Sequence, residues 1–361
     1  MARLLRKLGW IAACSALAAC AAGEIGNGGF DAGAAGAAGA FEPGAAGGSG
    51  HDHGAPAAGS GGSAMPGPMI DRAAIPNGDP GSAVVQIRNT SEKPGPGDGT
   101  GAFRTSCDFS HMNFDDPIVF PGQPGKAHLH AYFGNSLADA DSTPDSLRTS
   151  GNSTCRGGIA NRSAYWVPAL IDANGKPIKP ASIDVYYKTG YGGVKPGDVK
   201  PFPKGLRMIA GDAKSKQKQS RAYWGCLDHY IGKPGSIPDC GTGETLMMSV
   251  EFPQCWDGVQ LDSADHKSHM AYPGQGGCPA THPKPIPAIT FQVHYRTPPE
   301  GVKGWRLASD MYEASLPGGF SAHGDWYEAW DPDVVKAFIE GCDNPALDCH
   351  SHLLGDGRAI Y

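Results

Sequence analysis

The sequence predicts a mainly β domain of β-sandwich or jelly-roll type, with long disulfide-stapled loops and one late helix. Three observations carry that expectation. Short segments rich in β-branched and aromatic residues recur along the chain, at 83–87, 181–187, 245–250 and 289–295. Turn dipeptides separate them: Asn174-Gly175, Pro196-Gly197, Pro273-Gly274 and Pro317-Gly318. No alternation of strand and helix periods suggests βαβ units. Only residues 331–340 read as a helix. Asp331 suits the cap, Pro332 the first turn, and Val334, Val335, Phe338 and Ile339 make an apolar stripe that Gly341 should end.

The N-terminal residues predict export. Arg3, Arg6 and Lys7 form a basic start, followed by an apolar run from Leu8 to Ala19 that is too short to span a bilayer. This is the pattern of a secretory signal peptide over 1–19. Its boundary, Leu17-Ala18-Ala19-Cys20, resembles the lipobox of bacterial lipoproteins, which implies a diacylated Cys20 holding the protein in the bacterial cell envelope. The only membrane contact expected is through that anchor. Loss of the leader takes the formal charge from −6 to −9, so no basic footprint for nucleic acid remains. Residues 20–81 are mostly Gly, Ala, Ser and Pro, a composition that cannot bury enough apolar surface to offset its ordering entropy, and read as a tether. His51 and His53 within it read as solvated.

Residues 82–361 are long enough for a single domain with a real core. Its eight cysteines are Cys107, Cys155, Cys226, Cys240, Cys255, Cys278, Cys342 and Cys349. An even count in an exported chain predicts disulfides, and no CxxC pair favours zinc instead. Connectivity is not deducible from spacing; the local pairs Cys226–Cys240, Cys255–Cys278 and Cys342–Cys349 are the expected ones.

Several stretches are distinctive in combination: DPIVFPG at 116–122 leading to AHLH at 127–130, SAYWVP at 163–168, FPKGLRMIAG at 202–211, FPQCWDG at 252–258, HKSHM at 266–270 and HGDW at 323–326. Together they resemble the secreted domain of unknown function numbered nineteen ninety-six, over roughly residues 105–350. That family is common in fungi and is sometimes joined there to WSC carbohydrate-binding modules. The resemblance implies an extracellular protein and hints at wall or matrix polysaccharide. It brings no reaction with it.

The sharpest chemical signal is His128-Leu129-His130. In extended chain, residues two apart share a face, so both imidazoles can ligate one divalent metal ion. A third ligand is expected from His269, with His266, His323 and Asp325 as further candidates; three ligands and an open position suit metal-assisted hydrolysis. A metal-free site would use the same histidines as acid and base, with Tyr132 or Tyr165 and with Arg207 neutralising a uronate carboxylate. Two carboxylates from Asp116, Asp257, Asp265 and Asp325 would instead serve glycoside hydrolysis. Arg207 within an apolar run also fits a structural ion pair. The six tryptophans from Trp166 onward mostly suit a core, with one or two left to stack on sugar. The expectation is therefore an exported lipoprotein, metal-assisted or acid/base in action on polysaccharide; the alternative is a non-catalytic protein that binds a glycan or cell-wall component, or a structural one.

Overall fold

The computed structural model describes residues 67–361. The leader, Cys20 and the tether as far as residue 66, with His51 and His53, lie outside the described residues. Two sheets form a sandwich. The seven-stranded sheet runs in the order Ala222–Cys226, Thr245–Glu251, Ala288–Arg296, Ser182–Lys188, Ala102–Cys107, Leu347–Asp348 and Gly95–Pro96. The five-stranded sheet runs Arg207–Gly211, His323–Tyr327, Ala164–Pro168, His130–Gly134 and Phe109–Asn113. Neighbours are antiparallel throughout, apart from the parallel pairing of Leu347–Asp348 with Ala102–Cys107.

Burial alternates residue by residue in the long strands of the larger sheet, as a half-buried strand requires. Ile183, Val185, Tyr187, Phe291, Val293, Met248 and Trp224 point inward into the main core. The five-stranded sheet meets them with Phe133, Tyr165, Val167, Met208 and Trp326. Tyr165 shows the contact directly: its ring lies 5.7 Å from that of Phe291, and its hydroxyl is 3.0 Å from the Tyr187 hydroxyl. Gly324 belongs where it is because a Cβ there would sit 3.0 Å from the Phe291 ring.

The outer face of the five-stranded sheet is covered as well. Ile118 from the connection before the His130–Gly134 strand, and Ala138 and Leu147 from the connection after it, pack on Tyr132, Trp166, Ala164 and Tyr327 as a second, smaller core. The later connection contains a helix not foreseen from sequence, Pro144–Thr149, closed at its start by a reciprocal Thr143–Ser146 capping box. Arg148 at its end holds it to the sheet, pairing with the buried Glu328 and donating to the Trp330 carbonyl at 2.7 Å.

The expected late helix spans Pro332–Phe338, with Asp331 accepting from the Asp333 amide and Val334, Val335 and Phe338 buried. Phe338 stacks on Phe103 at 4.4 Å and fastens the helix to the larger sheet; burying such a ring contributes about 2 kcal/mol. Gly341 does not end it. The chain continues through a π-type turn, Ile339–Asp343, in which a Cβ on Gly341 would come 2.6 Å from the Leu354 carbonyl oxygen, so close approach accounts for this glycine.

The three local disulfides form as expected, and the fourth joins Cys107 to Cys155. Two expectations need correction. Residues 83–87 are not a strand of the sandwich: Val84 and Val85 are exposed, and isolated bridges, Ser82 with Ser153 and Val85 with Gly158, precede the short pair Ile87–Asn89 with Arg358–Ile360. Residues 67–81, assigned to the tether by composition, carry contacts to the domain; the Asp71 amide donates to Gly175 and the Asp79 amide to Phe109. Their backbone groups are satisfied by irregular contacts, which leave no periodic pattern in the sequence.

Candidate metal centre

Strand register assembles the site. His130 pairs with Pro168, and the His323 strand continues that row on the far side of Pro168, ending at Gly211. The next row on the same face is Tyr132, Trp166, Asp325 and Ile209. His128 precedes the strand by two residues, so its ring joins His130 on the outer face, while the intervening Leu129 goes into the main core. Proline at the centre of the first row has no long side chain, and the rings on either side lean across it.

The result is a cluster of three imidazoles. Ring centroids are 4.2 Å apart for His128 and His130, 5.0 Å for His128 and His323, and 5.9 Å for His130 and His323. Ligand atoms of these three lie within 4.8 Å of one another, and the same holds for Asp116, His130 and Asp325. His130 and His323 are buried, as are both carboxylates; His128 keeps part of its surface exposed although its Nε2 is buried.

Each buried ring is held by its other nitrogen. His130 Nδ1 lies 2.9 Å from the Asp115 carbonyl oxygen, and His323 Nδ1 lies 2.8 Å from that of Ser321. A carbonyl only accepts, so both Nδ1 atoms carry the proton, and each Nε2 keeps a lone pair. Carbonyl anchoring of this kind fixes tautomer and orientation in metal-ligating histidines. The Nε2 atoms of His128 and His130 and Oδ2 of Asp325 have no hydrogen-bond partner. Leaving such groups buried and unpaired costs about 1–3 kcal/mol each, so a missing partner is the economical account of the cluster.

Electrostatics agree. Burial pushes His130 and His323 down to about 4, and burial with its two histidine neighbours holds His128 well below the ordinary imidazole range. All three are neutral, the ligating form, at neutral pH. Burial, reinforced by the Asp116 carboxylate, raises Asp325 well above the usual range, and burial raises Asp116 too, against the two amides, Ile118 and Val119, that donate to it at 2.9 Å.

A family model described as Domain of unknown function (DUF1996) matches residues 116–330, more than half of the chain. The chain belongs to that family. The matched segment contains the whole cluster, from Asp116 to Asp325, so the site is built from the DUF1996 core and not from the flanking sequence. No curated protein and no solved structure matches the chain.

Within this DUF1996 domain the candidate residues separate into two groups. His128, His130, His323 and Asp325 converge. Tyr132 stands beside them, its hydroxyl donating to the Asp115 carbonyl that also anchors His130, and burial pushes it well above the ordinary phenol range. It therefore supports the ligand strand and is poorly placed to act as a base. His269 does not reach the cluster: its Nδ1 meets Ser263 Oγ at 2.9 Å and its Nε2 the Arg207 carbonyl oxygen at 2.7 Å. The third imidazole is thus His323, delivered by sheet register that spacing in the sequence does not reveal.

Arg207 lies four residues along its strand from Gly211, or about 13 Å from the histidine row at strand rise. It pairs with Asp262 at 3.1 Å and its guanidinium lies over the Tyr327 ring. His266 shares Asp262, whose hydrogen bond raises its pKa, and holds a left-handed backbone at φ 58°. Asp257 and Asp265 cap turns of the same loop through the amides of Val259 and Ser268. Of the four carboxylates considered for hydrolysis, only Asp116 and Asp325 come together. The anchoring carbonyls of Asp115 and Ser321 left no trace in the sequence, because any residue supplies one.

Proposed function

We propose that the protein is an exported lipoprotein whose DUF1996 domain holds a divalent transition-metal ion on His128, His130 and His323 and cleaves wall or matrix polysaccharide with its help. The observation that carries the reading is the convergence of three imidazoles, of which His130 and His323 are anchored through Nδ1 to carbonyls while the buried Nε2 atoms of His128 and His130 have no partner. Neutral imidazole with a carboxylate suits zinc and its first-row neighbours better than magnesium or calcium. A bound ion of this kind would supply Lewis acidity and an acidified water at neutral pH. The chain's own contributions follow from the geometry. Asp325 lies 3.9 Å from His323 Nε2 and either completes the ligand set or holds a proton next to it. His128 is the one residue of the three that is not fully buried. The lipid anchor rests on the basic start, the short apolar run and Cys20.

Metal analysis of the full chain, before and after His128→Ala and His130→Ala, tests the centre. One equivalent of metal, lost in variants that still show the native β signal by circular dichroism, supports it. Absence of metal after loading with zinc, manganese, copper, nickel or iron ends it. Release of new chain ends from wall polysaccharide by the loaded protein, abolished by His130→Ala, tests the reaction separately.

A second reading has its own observation, the paired carboxylates of Asp116 and Asp325. With Asp325 held protonated and Asp116 hydrogen-bonded by two amides, they form an acid and base pair for metal-free glycoside cleavage. Activity that survives chelation and exhaustive dialysis but fails in Asp325→Asn would favour it.

A further inference from the structure

The opposite outer face of the sandwich, on the seven-stranded sheet, carries a different kind of surface. Register lines up Arg104, Tyr186, Thr290 and Glu251 in one row across four strands. The neighbouring row is Ser106, Asp184, Gln292, Ser249 and Tyr223. Two clefts of about 340 and 300 Å³ lie on this face and share Tyr186, Lys188 and Tyr191, so they form one continuous groove. Five strands at their usual spacing give it a length of roughly 20 Å.

Its lining combines aromatic rings with hydrogen-bonding groups and cancels its charges internally. Tyr191 is 43% exposed, and Tyr186, Tyr223 and Tyr272 are half-buried along the groove. Arg221 and Lys233 both pair with Glu251, at 3.0 and 3.2 Å, and Arg104 faces Asp184 at 4.0 Å. Lys188 and Arg104 lie over the Tyr186 ring, Lys233 over that of Tyr223 and Arg221 over that of Tyr272, which leaves Tyr191, among the described residues, as the groove tyrosine with no cation over it. The Gln254 side chain lines the groove although it is only 2% exposed; its amide nitrogen donates to the Tyr191 carbonyl at 3.1 Å, while its Oε1 has no partner. Arg104 Nε also lacks an acceptor.

The geometry points to a second ligand site here, a groove for a neutral polysaccharide chain. A sugar presents an apolar C–H face to a tyrosine ring and hydroxyls that both donate and accept, which fits an orphaned amide oxygen in one cleft and an orphaned guanidinium N–H in the other. An anionic chain finds no uncompensated cluster of cations, and a protein partner would want apolar anchors; Tyr191 is the one exposed large hydrophobic residue lining the groove. The groove does not depend on the metal centre, which occupies the other outer face. A protein with both would hold its polymer on one side and present chemistry on the other.

Binding of the full chain to cellulose, chitin, xylan, mannan and β-1,3-glucan tests this, by pull-down for insoluble polymers and affinity electrophoresis for soluble ones. Retention by at least one is expected. Tyr191→Ala, at an exposed position that folding tolerates, should weaken it tenfold or more, and Gln292→Ala should weaken it as well, while His130→Ala leaves it unchanged. Retention by none of the five overturns the groove, as does binding indifferent to Tyr191→Ala. Binding only to alginate or pectate, abolished by salt, overturns its neutral character. Loss with His130→Ala alone would move the polymer to the metal face.

Discussion

His130 and His323 stand two strands apart on either side of Pro168, yet their ring centroids are 5.9 Å from each other. Neighbouring strands are about 4.8 Å apart, so the backbones are separated by nearly twice that distance and the rings must lean inward over the proline. The lean is fixed by the carbonyls of Asp115 and Ser321 at the far nitrogens.

This geometry separates the residues of the cluster from the candidate that lies outside it. His323→Ala and His130→Ala should each lower metal affinity 100-fold or more, since each removes one of three convergent donors. His269→Ala should leave the stoichiometry at one, because both its ring nitrogens serve the loop. It should instead lower stability by about 1–3 kcal/mol through the Arg207 carbonyl left without its ring partner, while Ser263 keeps its bond to Asp265. Calorimetric metal titration with thermal melts of the three variants checks both halves. Equal metal loss in His269→Ala would remove His323 from its special place.

The same burial makes the metal-free protein acid-sensitive. The folded-state values of His130 and His323, about 4, lie below the ordinary 6.5, so between those limits the unfolded chain binds protons that the folded chain refuses. Stability is therefore fully present above pH 6.5 and falls as pH drops toward 4, by about 3 kcal/mol at most for each ring. Urea melts at a series of pH values should show this limb. In His130→Ala it should become shallower, and an unchanged limb would remove the rings as its source.

Arg148 and Glu328 make a sharper stability prediction. Glu328 is 3% exposed and accepts from Arg148, the Gly205 amide at 2.8 Å and the Trp330 amide at 2.9 Å. Arg148→Ala leaves that carboxyl without its cation and should cost about 3–5 kcal/mol. Removing both, with Glu328→Gln added, should recover part of the loss. A double-mutant cycle in urea measures it, and strictly additive losses would show that the pair does not act as a unit.

Much of the fold was legible because the long strands of the seven-stranded sheet obey a period of two. Residues 181–187 and 289–295 largely alternate, 245–250 does so at its start, and the observed strands, Ser182–Lys188, Ala288–Arg296 and Thr245–Glu251, differ from these segments by at most one residue at either end. The five-stranded sheet was not legible as strands. His130–Gly134, Ala164–Pro168 and His323–Tyr327 are buried on both faces, so alternation vanishes and they read as motifs. For that reason the chemistry was visible while its geometry was not. His128, His130, His323 and Asp325 were picked out by residue type, and the replacement of His269 by His323 as the third imidazole of the cluster came from register alone. The tryptophans went the way apolar area dictates: Trp166, Trp224, Trp326 and Trp330 are fully buried, leaving tyrosines on the surface.

The disulfides should contribute unequally, and the non-local one most. Cys107–Cys155 closes 48 residues and Cys342–Cys349 closes 7. Loop-closure entropy then assigns about 4 kcal/mol to the first and about 2 to the second. The longer bridge also has a positional role. Cys155 follows Thr154, whose amide donates to the Gly134 carbonyl at 3.0 Å and whose hydroxyl accepts from the Gly134 amide at 2.9 Å. Gly134 ends the strand that begins at His130, so this bridge ties that strand's far end to the larger sheet. Paired Cys→Ala variants should therefore differ in two readouts. Loss of Cys107–Cys155 should lower both unfolding free energy and metal affinity. Loss of Cys342–Cys349 should lower the former by about half as much and leave the latter alone. If both variants bind metal like the parent, the centre is held by its sheet register without help from the bridge.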